Sequence, residues 1–433
     1  MAVAVPRSRT IIGVPVAVAL FLFAMMLPTP VSLNLGGMRL SAYRVVLLIL
    51  FLPMLFQLLS GRRGQVHLFD VLLLAHCAWA LLALIKWGGL IQGLESGGIY
   101  VVECAGAYLI GRLYIRSYED FVAMARAYVG LVLATLLFTV PEALTGIHIL
   151  HDGISSLVGG PRAAFIEPRM GIERTFGPFD HPILYGVFCA SSFSLAYFVI
   201  AERRLSNLKG MAKVMGVVLA TFMSASGGPY VVLMMQGFVA GWERAFGNMQ
   251  GRWAALFGLF AIVYLGIDLL SNRTPFHVFV EYLTFSKQSA YNRIIIFEYG
   301  TAEVVRHPVF GIGLGDWIRP VWMSDSMDNF WLVTAVRYGL PAFFLQVGLL
   351  LGLVWTVAQR KGLPPAWRRA RHAWAFTLFG IAVAAATVHL WNALFVLFFF
   401  LIGSGAWLLD AKPKRAAPVR RSVPLTYRPA RLF

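Results

Sequence analysis

Charge is scarce in this chain. Of its 433 residues only 13% are charged, and acids are the scarcer kind, with 20 Asp and Glu against 37 Lys and Arg. Soluble domains carry about 25% charged residues, so one or two soluble domains of this length are excluded. Cysteine is nearly missing: Cys77, Cys104 and Cys189 sit inside apolar runs, with no CxxC pair and no histidine at metal-ligand spacing. That removes a disulfide framework and a zinc ligand set. There is no obvious internal repeat, and no DxD cluster that would present a metal to a sugar nucleotide. The first apolar run lacks a small-x-small cleavage site and is expected to be retained as a span.

Apolar runs are what the chain has instead. Hydrophobic residues make up 59% of it, and the mean hydropathy is +0.72. A bilayer core takes about 20 apolar residues per helix. Runs of that kind recur at roughly 11–28, 43–60, 67–86, 97–115, 121–144, 181–201, 212–225, 229–243, 253–270, 329–358, 373–390 and 391–409. In lipid a spanning segment must satisfy its own backbone polar groups, which makes these runs helices. The expected fold is an all-α polytopic membrane protein of about twelve transmembrane helices, with a large helical extracytoplasmic loop between the ninth and the tenth. Its parts are a five-span N-terminal bundle (1–144), a core with two outer loops (145–358), a two-span hairpin (359–409) and a basic cytoplasmic tail (410–433).

The net charge of +17 then reports orientation. With the N-terminus inside and sides alternating, every short inside loop is basic: Arg62 and Arg63, Arg112 and Arg116, Arg203 and Arg204, Arg244 and Arg252, Arg360 through Arg371. This is the positive-inside pattern, and it places both termini in the cytoplasm. The tail, with Lys412, Lys414, Arg415, Arg420 and Arg421, is suited to anionic lipid headgroups. A pI near 10.1 is thereby explained without a nucleic acid partner.

Two outer segments, about 145–180 and 271–328, are too long to be plain connectors. The second has apolar periodicity (Phe276, Val278, Phe279, Tyr282, Leu283), which suits short helices lying on the outer face. Three polar clusters lie in these segments. The first is Arg169-Met-Gly-Ile-Glu-Arg174-Thr-Phe-Gly-Pro-Phe-Asp180-His181-Pro182, a shaped turn leading into a span, in which Asp180 reads equally as a helix cap. The second runs from Tyr291-Asn-Arg293 to Arg306-His307-Pro308-Val-Phe-Gly311-Ile-Gly313-Leu-Gly315. No strand precedes its glycines, so a dinucleotide fingerprint is excluded, and they permit close backbone approach to a ligand or a helix. Arg293 and Arg306 offer planar forks for phosphate oxygens. The third is Asp325-Ser-Met-Asp328-Asn329-Phe-Trp331, entering a span that contains Arg337 and the breaking sequence Gly339-Leu-Pro341. Asp328 here is either a cap or a free carboxylate. Arg337 lies roughly 13–14 Å deeper along the helix axis. Arg337 and Glu103, central in its own span, are costly in lipid unless paired or facing a wet cavity.

The order and spacing of these clusters resemble the O-antigen ligase/polymerase family of bacterial membrane glycosyltransferases, which includes lipopolysaccharide ligases and Wzy-type polysaccharide polymerases. The pieces that carry the resemblance are Arg174-Thr-Phe-Gly with the later His-Pro, Ser224-Ala-Ser226-Gly227-Gly228, Arg293 with its apolar-aromatic run, Arg306-His307-Pro308-Val-Phe-Gly311-Ile-Gly313, and the Asp328-Asn329 pair followed by Gly339-Leu-Pro. Together they cover about 170–345. Two positions depart from the ligase pattern, Asp328 where a histidine is usual and Gly227 where an arginine is common, and both favour a polymerase.

The resemblance implies transfer of an oligosaccharide from undecaprenyl diphosphate to an acceptor glycan hydroxyl, without metal or cofactor, on the periplasmic face of the bacterial inner membrane. It implies Asp328 as base, Arg174 and Arg293 at the diphosphate, and Arg337, Arg306, His307, Asn329 and Arg169 as substrate-binding residues. Membrane lipids are the remaining partner. The alternatives are an O-antigen ligase acting on lipid A-core and a lipid-linked sugar transporter. Against the transporter stand the absence of two matching halves with broken helices and the gathering of polar residues on one face.

Overall fold

A computed structural model of the protein describes residues 9–11, 13–28, 30–35, 38–159, 162–169, 171–282 and 287–411. The basic tail from Lys412 onward and Leu283 of the outer apolar stripe lie outside the described residues. Helix dominates, in the order α1 (Val16–Met25), α2 (Ala42–Leu59), α3 (Leu68–Val101), α4 (Ala107–Tyr114), α5 (Tyr118–Thr145), α6 (Ile149–Val158), α7 (Pro182–Ser191), α8 (Phe193–Leu195), α9 (Leu208–Met223), α10 (Gly227–Ala245), α11 (Arg252–Leu270), α12 (Pro275–Tyr282), α13 (Lys287–Arg306), α14 (Phe330–Ala358), α15 (Pro365–Ala384), α16 (Ala393–Ser404) and α17 (Trp407–Asp410). Wide π-turns at Val102–Gly106 and Ala196–Ile200 join α3 to α4 and extend α8. Sheet is limited to two antiparallel ribbons, β1 (Thr10–Ile11) with β2 (Val14–Pro15) and β3 (Ser32–Leu35) with β4 (Met38–Ser41), the second pairing Leu33 with Leu40.

Seven helical stretches among the described residues are long and apolar enough to cross a membrane: Ala42–Leu59, Leu68–Tyr114, Tyr118–Thr145, Pro182–Ile200, Arg252–Leu270, Phe330–Ala358 and Ala393–Asp410. The second, at 47 residues, would be about 70 Å long if straight, over twice a bilayer core. It folds back on itself. Gly89 has a left-handed φ of 73°, and a Cβ on Gly93 would stand 2.4 Å from the Ile85 Cα, so the stretches on either side of Gly89 lie against each other. Only glycine serves at both positions, one for its conformation and one for the close approach.

Every residue of α16 is buried, which makes it the axis of the bundle. It packs on α4 backbone to backbone, since a Cβ on Gly111 would meet the Phe400 carbonyl at 2.4 Å and one on Gly403 the Tyr108 carbonyl at 2.2 Å. By contrast α11 has no buried residue although it is apolar all round, the signature of a helix wrapped by lipid. The costly Glu103, held in the first π-turn, takes Arg44 Nε at 2.6 Å, so its expected arginine partner comes from the start of α2. A second buried group ties the ends of α3 and α4: Asp70 accepts from the Tyr108 hydroxyl at 2.7 Å and from Arg112 Nε at 3.2 Å.

Candidate functional site

The loop between α6 and α7 supplies the first group, and its backbone is pinned residue by residue. Glu173 N–H donates to Ala143 O, Thr175 N–H to Met223 O and Phe176 N–H to Glu142 Oε1. Glu142 also takes His148 Nδ1 at 2.6 Å. Arg174 is therefore fixed between the ends of α5 and α9. Its guanidinium is buried, donates from Nη2 to Ser226 Oγ at 2.9 Å, and leaves Nε without an acceptor. Burial and the charge of Arg169 pull its pKa down to about 10, against a small opposing effect of Tyr230. No carboxylate pairs with Arg174 among the described residues. Arg169 itself is exposed, and its charge bears on Arg174, His181 and Arg293 alike, so it sits among the three.

The caps fall one residue later than either acid. Asp180 does not cap α7. His181 does, its Nδ1 accepting from Ile183 N–H at 3.1 Å, and Asp180 instead takes Asn392 Nδ2 at 3.4 Å. With Nδ1 used as acceptor, the neutral ring carries its proton on Nε2 and acts as a donor. Burial, then Arg174 and Arg169, hold its pKa down to about 4, so the ring is neutral near pH 7. At α14 the cap is Asn329, which is buried and accepts from Leu332 N–H at 3.0 Å. That leaves the half-buried Asp328 carboxylate free of the helix, accepting among the described residues only from the Ser326 hydroxyl at 3.1 Å.

Arg293 reaches the same mouth from α13. Its Nε donates to Thr387 O at 3.0 Å. Burial lowers its pKa, the Asp328 carboxylate opposes that, and Arg169 adds to it, so the arginine expected at the diphosphate and the carboxylate expected as base lie within electrostatic reach of each other.

The turn that binds these pieces is 385–392, between α15 and α16. Besides Thr387 it offers the Ala385 carbonyl to Phe330 N–H at 2.8 Å, Trp391 to the His181 ring at 5.8 Å and Asn392 to Asp180. Asn392 has a left-handed φ of 48° and His389 a buried Nδ1 with no partner. Burial and Arg337 pull the His389 pKa down to about 4. Arg337 is exposed, and its charge reaches this turn through His389. Sequence reasoning takes the region around His389–Asn392 as a tight break between two spans and gives His389, Trp391 and Asn392 no role in the site. The signal was a polar and aromatic interruption, His-Leu-Trp-Asn, in an otherwise apolar stretch.

Arg306 and His307 go elsewhere. Both attach to the buried Glu303, Arg306 Nη1 at 2.6 Å and His307 Nε2 at 3.5 Å, and Ile318 N–H donates to the same carboxylate at 3.1 Å. His307 also meets the Trp87 ring edge-on at 5.6 Å. The glycines that follow approach a helix. Gly339, with φ 84°, breaks α14 and exposes its carbonyls, and Ile312 and Gly313 N–H groups donate to Val336 O and Arg337 O at 2.9 Å each. The break at Gly339-Leu-Pro341 is thus filled by the 309–313 backbone. Among the described residues no three His, Cys, Asp or Glu side chains group to hold a metal ion.

Set against known proteins, the chain matches no protein-family model and no curated protein. At the mouth just described Arg169, Arg174, His181, Arg293, Asp328 and the 385–392 turn meet.

Proposed function

We propose that the chain is a membrane glycosyltransferase of the O-antigen or exopolysaccharide polymerase kind, moving an oligosaccharide from undecaprenyl diphosphate to an acceptor glycan hydroxyl. The observation that carries the reading is Arg174: a buried guanidinium with no carboxylate partner and an idle Nε, next to Arg169 and Arg293. A buried cation without a counter-ion is costly. A diphosphate supplies the missing charge and the missing acceptor at once.

In this reading the acceptor oxygen attacks the anomeric carbon, and the bond from that carbon to the diphosphate oxygen breaks. The electron pair leaves on undecaprenyl diphosphate, and the hydroxyl proton passes to the Asp328 carboxylate. Arg174, Arg293 and Arg169 offset the charge that grows on the leaving group. His181 adds an Nε2–H donor, and Asn329 holds Asp328 at the helix mouth. Arg337 lies beneath them on the substrate path. Arg306 and His307, tied to Glu303, shape the loop. The reaction needs no metal.

The reading places the protein in the bacterial inner membrane with twelve crossings. These are the seven apolar stretches, the folded Leu68–Tyr114 crossing twice, together with α1, α9, α10 and α15. Alternating sides then put the arginine cluster on the periplasmic face and both ends of the chain in the cytoplasm. Residues 145–358 form the catalytic core.

The test uses purified protein in proteoliposomes with a lipid diphosphate-linked oligosaccharide and no ion gradient. Lengthened glycans that disappear in Arg174→Ala support the proposal. Movement of the lipid between leaflets without lengthening overturns it in favour of a transporter, and attachment only to lipid A-core makes the protein a ligase.

A further inference from the structure

Three helices run between the arginine cluster and one opposite face. Pro182–Ile200 begins beside His181, α10 beside Ser226, and α15 ends just before Thr387. Each has 19 or 20 residues, about 28–30 Å of helix and so the depth of a bilayer core. Their far ends line a half-open cavity of about 520 Å³. On the positive-inside pattern this face is cytoplasmic.

The cavity wall holds Arg203, Arg244, Arg252, Arg368, Arg369 and Arg371 against Glu202 and Glu243, an excess of four positive charges. The positive-inside rule accounts for arginines in each loop. It does not account for their convergence, since like charges repel and splayed side chains would record orientation equally well. Both acids are already committed. Glu243 receives Arg252 Nε at 2.7 Å and lies 3.9 Å from Arg203, and Glu202 lies 3.4 Å from Arg369. Arg371 is spent on the carbonyls of Ala358 and Arg360, each at 2.9 Å. Arg244 and Arg368 are exposed and have no acid or acceptor among the described residues.

We propose that this cavity binds a ligand carrying two neighbouring phosphate groups, with Arg244 and Arg368 as the free forks that grip it. Its volume falls in the range of ligand sites and exceeds what a single phosphate needs. Paired phosphates come either from a two-phosphate lipid headgroup, which basic pockets between membrane helices take on the cytoplasmic side, or from a soluble diphosphate. The site lies a bilayer away from the proposed catalytic mouth and does not depend on that reading.

The experiment uses the full chain in neutral phosphatidylcholine nanodiscs. Cardiolipin at graded mole fraction and inorganic pyrophosphate in solution are titrated separately and followed by native mass spectrometry. Saturable binding of either probe is expected, weakened about tenfold or more in the Arg244→Gln, Arg368→Gln pair. The probe that behaves so identifies the source. A control pair, Arg62→Gln with Lys361→Gln, removes as much inside charge away from the cavity and is expected to leave binding unchanged. If the glutamine pair fails to fold, Arg244→Lys with Arg368→Lys replaces it, keeping the charge and removing the planar fork. Absence of saturable binding by both probes, or an equal loss in the control pair, overturns the proposal.

Discussion

Arg174 Nη2 meets Ser226 Oγ at 2.9 Å, which joins two turns 52 residues apart in the chain. The same turn sets Gly228 against Val388, where a Cβ would come within 2.4 Å of the valine side chain. So the loop before α7, the α9–α10 turn and the 385–392 turn close on one another around a guanidinium. Arg174 is the one buried member of the arginine group, and its position depends on backbone bonds at 173, 175 and 176 rather than on an acid.

Two substitutions separate charge from placement here. In the proposed reaction Arg174→Ala removes a cation that offsets charge on the leaving group, and it is expected to slow glycan lengthening by on the order of a hundred- to thousandfold. Ser226→Ala removes one hydrogen bond to a charged group and is expected to cost about tenfold. Initial rates of lengthening at matched protein level check both, and equal effects would mean that the pair is purely structural.

Much of the architecture could be read from spacing alone. Apolar runs located the helices, and Gly339-Leu-Pro341 marked the break in α14, because both follow from local chemistry. Long-range pairing could not be read that way. Glu103 gave no hint that Arg44, 59 residues earlier, was its partner, and the 385–392 turn became important only through what packs on it. Glu303 is a different case. Its spacing to Arg306 and His307, three and four residues, is a helix-face pattern visible in the sequence, and it ties both side chains down. The arginines of 203–252 and 368–371 could be read in the sequence only as an orientation signal, but their convergence on one cavity needed three helices of matched length.

The crossing of the 309–313 backbone over broken α14 admits no side chain. At Gly311, φ is 58° and a Cβ would lie 2.2 Å from Val336 O; at Gly339 it would lie 2.1 Å from Val309 O. Alanine at either position costs at least about 1–3 kcal/mol from the left-handed backbone alone, before any clash. Gly258→Ala, on a lipid-facing helix with nothing within 4 Å, is the control. The expected result is a sharp loss of monodisperse protein on detergent gel filtration for the first two and none for the control.

Glu303 holds three groups with one buried carboxylate, so its removal acts on the whole 303–318 loop. Glu303→Ala is expected to destabilise the protein by about 1–3 kcal/mol, chiefly by leaving Ile318 N–H and Arg306 without their acceptor. A thermal unfolding scan in detergent checks this. A melting temperature unchanged from the parent would show that solvent replaces the carboxylate at no cost.

The neutral His181 cap makes stability depend on pH in a defined window. The folded ring takes a proton only near pH 4, whereas an unperturbed histidine does so near 6.5. Between these values the unfolded chain binds more protons, so stability falls as pH drops from about 6.5 toward 4 and is level above that range. His389, also held down to about 4, adds to the same slope. His181→Asn keeps a capping oxygen and loses the titration. Its melting temperature is expected to fall less steeply over the window, and less still with His389→Gln added.

Asp328 carries the sharpest chemical prediction, because Asn329 takes the cap and leaves the neighbouring carboxylate free. Asp328→Asn preserves size and the contact from Ser326 but cannot accept the acceptor's proton. Loss of a general base typically costs about 10²–10⁴ in rate. Donor binding, which the proposal assigns to the arginines, is expected to survive. The two are read separately, as glycan lengthening in proteoliposomes and as retention of the lipid diphosphate donor by native mass spectrometry. Long-chain product formed at the parental rate removes Asp328 from proton transfer. Loss of donor binding together with rate would show instead that the carboxylate acts by holding Arg293 in place.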